Sequence, residues 1–247
     1  MTPRASRAEI IHITGTDTGV GKTVFTALLL HDLRQQGVHA LAMKPFCSGG
    51  REDAKLLWEM QDREGSLDDL NPYHFREPLT PLLAARKERK HVPLGEVAAK
   101  ILGRSAQCEV LLVEGAGGLL SPLGEDYAGL EVIRGTGGMV VAVGPNRLGA
   151  FNQMRLTTLA LQIAGMQRIA LVLMGQKRPD KSTLTNAALL RELAGFPVVE
   201  IGYGGKNASE KAGLKLFYKK VKKPLARWRK FVSLLPRSTR TARRKRL

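Results

Sequence analysis

The chain has 247 residues, 43% apolar, with a formal net charge of +17, long enough for one substantial core. It holds no run of roughly 20 uninterrupted apolar residues, so no membrane span is expected. Its start carries no apolar block of signal-peptide type, and Cys47 and Cys108 are too few for a disulfide framework and lie in no metal-ligand spacing, which together predict a cytoplasmic protein.

The first predicted strand, residues 9–14, runs into Gly15-Thr16-Asp17-Thr18-Gly19-Val20-Gly21-Lys22-Thr23, and a helical pattern follows over 22–36. With five residues between Gly15 and Gly21, this is one residue longer than the G-x-x-x-x-G-K-[ST] phosphate loop, but its Gly-Lys-Thr end stands in the strand-before, helix-after context of that motif. Backbone N–H groups and the helix start cradle phosphate oxygens, Lys22 reaches the β- and γ-phosphates, and the Thr23 hydroxyl suits Mg²⁺.

The second strand, 38–43, ends in Lys44-Pro45-Phe46-Cys47-Ser48-Gly49-Gly50. A lysine at that end of a parallel strand points into the phosphate crevice, although spacing alone also allows a solvated loop lysine. A helix is predicted over 52–61, where Asp53 fits equally an acid favoured by the helix dipole, and another over 94–102. The third strand, 109–114, closes on Glu114 before Gly115-Ala116-Gly117-Gly118. A glutamate ending a buried apolar run is costly unless compensated. It stands where a second Mg²⁺ ligand belongs, the alternative being a strand-end acid turned to solvent.

Strands at 139–143, 168–174 and 198–201 alternate with helices at 149–164 and 183–193. Near-continuous apolar runs such as Val110–Val113 and Met139–Val143 read as parallel strands covered on both faces. The predicted fold is therefore α/β: a doubly wound, mostly parallel P-loop NTPase-type sheet, with ligands at the carboxyl ends of its strands. Residues 1–205 form that domain and 206–247 a basic tail.

The tail explains the charge. Residues 206–247 hold 16 Lys/Arg against Glu210 alone, a net +15, which leaves +2 for the body. Leu214, Phe217, Val221, Leu225, Trp228, Phe231 or Val232, and Leu235 recur every three or four residues as an apolar stripe. Pro224 is expected to break or kink that helix, or to start a second. Two readings stay open: a helix packed on the body with a solvated basic face, or a basic amphipathic helix at an anionic membrane or nucleic acid. Residues 238–247 are predicted to be disordered.

The ensemble GTDTGVGKT, KPFCSG, Asp53-Ala54, NPYHF with Pro78 and Pro81 behind it, VEGAGG and LGAFN resembles the dethiobiotin synthetases from about residue 10 to 175. The P-loop and VEGAGG are shared with related amidoligase-type ATPases; KPxxSG followed by NPYxF is closer to this family. The resemblance implies closure of the ureido ring of dethiobiotin from 7,8-diaminononanoate, CO₂ or bicarbonate and ATP. The route runs through a carbamate and a carbamic–phosphoric anhydride. It implies ATP binding by Gly19, Val20, Gly21, Lys22, Thr23 and Val24, with Asp53, Glu114, Gly115, Ala116 and Gly117. It further implies Mg²⁺ on Thr23, Asp53 and Glu114, catalysis by Lys22 and Lys44, and a diamine contact at Ser48. Leu148, Gly149 and Asn152 would receive the substrate carboxylate from the neighbouring subunit of a homodimer.

The resemblance fails at one place. An asparagine that reads adenine in the family is here Gly175, with Gln176 as a stand-in, and the turn after the last strand is Ile201-Gly202-Tyr203, so relaxed base preference is expected. Two other readings compete. Another amidoligase or regulatory ATPase is weakened by the lack of an early P-loop lysine at Thr16-Asp17-Thr18. A degenerate ATPase body carrying a nucleic-acid- or membrane-binding tail is weakened by intact Lys22, Thr23, Lys44, Asp53 and Glu114.

Overall fold

The computed structural model describes residues 8–232. In chain order these form β1 (Glu9–Gly15), α1 (Lys22–Gln35), β2 (Ala40–Met43), β3 (Phe46–Ser48), α2 (Glu52–Met60), α3 (Leu67–Leu70), β4 (Tyr73–Phe75), α4 (Pro81–Lys87), α5 (Leu94–Ser105) and β5 (Val110–Glu114). After them come α6 (Gly129–Thr136), β6 (Met139–Pro145), α7 (Ala150–Ile163), β7 (Ile169–Met174), α8 (Asn186–Ala194), β8 (Val198–Ile201) and α9 (Lys211–Phe231). The six strands predicted from apolar runs are β1, β2, β5, β6, β7 and β8. They pair in parallel in the order β2-β5-β1-β6-β7-β8.

The pleat explains why these strands read as unbroken apolar runs. Successive side chains point to opposite faces, and both faces are covered. Ile11, Leu112, Val141 and Val172 face α1, α2 and α9. Leu111 and Val113 face the α5 side, while Val140, Ala142, Leu171 and Leu173 face α7 and α8. The chain reverses direction across the sheet between β1 and β6, so the crevice at that switch lies at the end of β1, where the phosphate loop begins.

Two short strands, β3 and β4, pair in parallel as a separate ribbon, and neither they nor α3, α4 and α6 were expected from the sequence. Strands of three residues and helices of four to eight fall below the length at which periodicity is readable.

Pro224 does not break the tail helix: α9 runs through it as one 21-residue helix. An interior proline costs about 3 kcal/mol. Here Pro224 faces solvent, while Val221, Leu225 and Trp228 on either side are buried against the core, and that packing outweighs the lost hydrogen bond. Of the two readings of the tail, the packed helix is therefore the one seen for residues 211–231. Leu235 and the disorder expected at 238–247 lie outside the described residues. Among the described residues no helix is long and apolar enough to cross a membrane.

Candidate functional site

β1 hands the chain to the phosphate loop at Gly15, where a β-carbon would sit 2.9 Å from the Asp17 carbonyl oxygen. Gly21 closes the loop in the left-handed region, φ 99°, with the Met174 side chain 3.0 Å from where its β-carbon would be. A side chain at either position would open the turn. α1 then starts at Lys22, whose Nζ donates to the Asp17 carbonyl at 2.8 Å across the loop. Burial lowers the Lys22 pKa to about 8, with Glu114 opposing the shift and Lys44 adding to it.

Glu114, at the end of β5, is fully buried. Its Oε1 accepts from Thr23 Oγ1 at 2.7 Å and from Lys44 Nζ at 2.5 Å. Lys44 also lies 3.2 Å from Asp53 Oδ2, at the start of α2. Burial pulls the Lys44 ammonium down, but the Glu114 and Asp53 carboxylates more than reverse it and hold the group above its ordinary value. The second glutamate oxygen, Oε2, is buried and has no hydrogen-bond partner.

That orphaned oxygen, the Thr23 hydroxyl and half-exposed Asp53 fit Mg²⁺. Among the described residues no group of three or more His, Cys, Asp and Glu gathers as a metal site. This suits an ion that takes one or two carboxylates and draws its remaining oxygens from phosphates and water.

Ser48 ends β3, and its Oγ is also buried without a partner. The NPYHF segment holds it there. Asn71 Nδ2 donates to the Lys44 carbonyl at 2.8 Å, and Asn71 Oδ1 accepts from Arg51 Nε at 3.0 Å. β4 pairs Phe75 with Ser48, and the Gly49 carbonyl accepts from His74 Nε2 at 2.8 Å. The motif is thus a clamp that fixes Lys44 and Ser48, and its role was missed because a clamp leaves no chemical signature in the sequence. Cys47 beside them is buried, which raises its thiol pKa to about 11, and it acts as a packing residue.

A cleft of about 790 Å³ joins Gly19, Gly21, Lys22, Thr23 and Val24 to Lys44, Ser48, Asp53, Glu114, Ala116 and Gly117. Val20 is buried behind the loop, packed in the core. Gly115 is tied by its N–H to the Ile13 carbonyl and faces a smaller cavity behind the site. Pro78, Leu79, Thr80 and Leu83 form an opposite wall that the motifs did not reveal.

Leu148, Gly149 and Asn152 stand apart from this cleft, all exposed, at the start of α7. The Leu148 N–H, predicted to meet a substrate carboxylate, donates to Asp180 Oδ2 at 2.9 Å. At the end of β7, a β-carbon on Gly175 would lie 2.7 Å from the Tyr203 backbone nitrogen, so an asparagine has no room there. The Gln176 amide donates to the Met174 carbonyl at 2.8 Å. Half-exposed Tyr203 is the remaining large side chain at that corner.

A family model described as an AAA domain matches residues 10–201, ending before α9. The ATP-dependent dethiobiotin synthetase BioD of Bacillus subtilis (strain 168) is 34% identical over 195 residues, covering 76% of this chain and 84% of the relative. That of Anaeromyxobacter sp. (strain Fw109-5) is 40% identical over 192 residues, covering 75% and 85%. Among solved structures, the MinD cell division protein of Aquifex aeolicus superposes with TM-score 0.60 at 14% identity, covering 92% of this chain and 98% of that one. A ParA family ATPase from Chlorobium tepidum TLS gives 0.56 at 14%, covering 92% and 99%. At such identities the two structures speak for the fold alone.

Proposed function

The chain belongs to the ATP-dependent dethiobiotin synthetases, and from that premise we propose which of its residues carry the reaction and how. The activity is that of the family, the ATP-dependent synthesis of dethiobiotin in biotin biosynthesis, a ligase reaction. The observation that carries the residue assignment is the convergence of Lys22, Thr23, Lys44, Ser48, Asp53 and Glu114 on one cleft at the carboxyl ends of β1, β2 and β5.

One amine of 7,8-diaminononanoate adds to the carbon of CO₂ and loses a proton, giving a carbamate. A carbamate oxygen attacks the γ-phosphorus of ATP, the bond to the β-phosphate oxygen breaks, and ADP leaves. The second amine then attacks the carbonyl carbon of the mixed anhydride, expels inorganic phosphate and closes the ring. None of these steps needs a protein nucleophile. The chain supplies position and charge, the two contributions that govern phosphoryl transfer.

Lys22 and the N–H groups of Gly19–Val24 hold the phosphates. Lys44 neutralises the carbamate and the oxygens of the transferring phosphoryl group, and Ser48 Oγ orients the diamine. Ala116 and Gly117 let the backbone approach the anhydride, with Gly115 fixing the turn behind them, and Pro78, Leu79 and Leu83 cover the aliphatic chain. Thr23, Asp53 and Glu114 would hold Mg²⁺, which supplies neutralisation of phosphate charge when bound. Lys44 then turns from the two carboxylates toward the substrate.

The substrate carboxylate is assigned to Leu148, Gly149 and Asn152 of a neighbouring subunit. Support for a homodimer lies on α7, which is apolar on two sides. Ala150, Met154 and Leu161 are buried, while Leu156, Leu159 and Ile163 form an exposed stripe with Asn152 at its head. The ATP requirement and the two free cysteines support a cytoplasmic setting.

The test is phosphate release from Mg-ATP and bicarbonate, with and without 7,8-diaminononanoate, with the product weighed by mass spectrometry. Diamine-dependent phosphate together with the dethiobiotin mass is expected. Turnover indifferent to the diamine would move the chain to another amidoligase or a regulatory ATPase.

A further inference from the structure

The synthetase reaction uses none of the positive charge that dominates the chain, and α9 carries much of it in an ordered place. Its apolar stripe is committed: Leu214, Phe217, Tyr218, Val221, Leu225 and Trp228 are buried against the sheet side that holds α1. Two of its cations are committed as well. Arg229 pairs with Asp32, and Lys211 lies 3.5 Å from Asp62 while donating to the Glu59 carbonyl. What remains is Lys215, Lys219, Lys220, Lys222, Lys223, Arg227 and Lys230. All are exposed, and α9 contains no acid to offset them. Among the described residues none of these seven enters an ion pair; α9's own pairs are the two just named.

We propose that the outer face of α9 is a docking surface for the phosphodiester backbone of double-stranded nucleic acid, bound without sequence preference. The face is long enough: Lys215 to Lys230 spans about 22 Å of helix axis at 1.5 Å per residue, against a duplex that presents a charge every ~1.7 Å. Electrostatics alone supplies essentially all of non-specific nucleic-acid binding. Stable attachment to a bilayer by an amphipathic helix adds burial of its apolar face, and the apolar face of α9 is already taken. Among the described side chains of the helix, the aromatic rings of Phe217, Tyr218 and Trp228 are buried. Unpaired bases would find no stacking platform on these rings, which favours the duplex over a single strand.

The surface lies outside the cleft, so binding and ring closure are separable. The experiment titrates the full-length protein into a fluorescent random-sequence duplex at a series of salt concentrations. In parallel it is mixed with vesicles of phosphatidylcholine and phosphatidylserine in equal parts. With four to seven phosphates engaged, affinity for the duplex is expected to fall about 100- to 10,000-fold between 50 and 200 mM salt. The variant Lys219→Gln/Lys220→Gln/Lys222→Gln/Lys223→Gln should lower the slope of log affinity against log salt by about two to four. Its melting temperature and diamine-dependent phosphate release should stay unchanged, which shows that the fold survived. Three results would each overturn the proposal: duplex affinity indifferent to salt, an unaltered slope in the variant, or binding to the vesicles with none to the duplex.

Discussion

Arg229 on α9 donates through Nε to Asp32 on α1 at 2.6 Å, and both side chains are withdrawn from water. Tyr218 adds a second hydrogen bond to the same carboxylate at 2.7 Å, and the Trp228 ring meets Phe25 edge to face at 5.7 Å. The helix that carries Lys22 and Thr23 is thus fastened from behind by the C-terminal helix.

Removing one member of a buried pair leaves the other charge uncompensated. Asp32→Ala should therefore lower the unfolding free energy by about 3–5 kcal/mol, read as the shift in urea midpoint. Asp32→Leu combined with Arg229→Met should recover most of that loss, since an apolar replacement of the whole pair is close to neutral. A single variant within about 1 kcal/mol of the parent would mean, on the same scale, that the pair does not anchor α9.

Lys44 lies between Glu114 and Asp53, where it can act on the substrate only through its charge. Lys44→Met should reduce kcat about 100- to 1,000-fold, the loss typical of one donor aimed at developing negative charge. Binding of a non-hydrolysable ATP analogue should change little, because the phosphate loop is intact. Equal losses in both measurements would assign Lys44 to nucleotide binding instead.

His12 is buried on β1, with Nε2 donating to the Gly137 carbonyl at 3.1 Å and lying 2.9 Å from Thr136 Oγ1. Burial lowers its pKa from 6.5 to about 4, against the opposing pull of the Gly137 hydrogen bond. Above pH 6.5 the ring is neutral in both folded and unfolded chains, so it imposes no penalty. As pH falls toward 4 the unfolded chain takes up a proton that the folded chain refuses, and stability drops by roughly 3 kcal/mol at about 1.4 kcal/mol per unit. His12→Gln should remove this component, so the gap between parent and variant in urea midpoint should change between pH 6.5 and 4 and stay constant above. A gap independent of pH would show that the ring does not resist protonation.

Gly175 has no side chain to read the base, and the amide nitrogen of Gln176 is spent on the Met174 carbonyl. GTP or CTP should accordingly support phosphate release with kcat/KM within about tenfold of ATP, about 1.4 kcal/mol of discrimination. Strict ATP use would locate base recognition in backbone groups or at Tyr203.

The exposed stripe of α7 predicts a dimer whose loss is felt in the active site. Leu156→Glu combined with Ile163→Glu should give a monomer by light scattering and raise KM for the diamine by tenfold or more, as expected when an anchor for the substrate carboxylate worth at least about 1.4 kcal/mol is lost. A fully active monomer would refute the shared site.

The legible parts were those with long or repeated signals. Six strands read as apolar runs, and the phosphate loop named its own flanks. Glu114 stood out as a charge ending a run that ought to be buried. What escaped detection was local or relational. β3 and β4 are three residues each, and Asn71 matters only because it bonds to Lys44, 27 positions away. The Leu79 and Leu83 wall depends on where α4 settles. Pro224 misled because helix propensity is a local cost, whereas the burial of Val221, Leu225 and Trp228 is a tertiary gain.

The Asp32–Arg229 contact joins positions 197 residues apart, which gives the fold a timetable. On a ribosome adding 5–20 residues per second, the partner that covers the outer side of α1 arrives about 10–40 seconds after α1 itself. For that interval the side of Phe25 and its neighbours that α9 covers stays open, an apolar strip on the nascent chain that chaperones can read. Translation interrupted between β8 and Trp228 would release a chain with its phosphate loop and sheet strands made and an uncovered flank, a natural substrate for proteolysis.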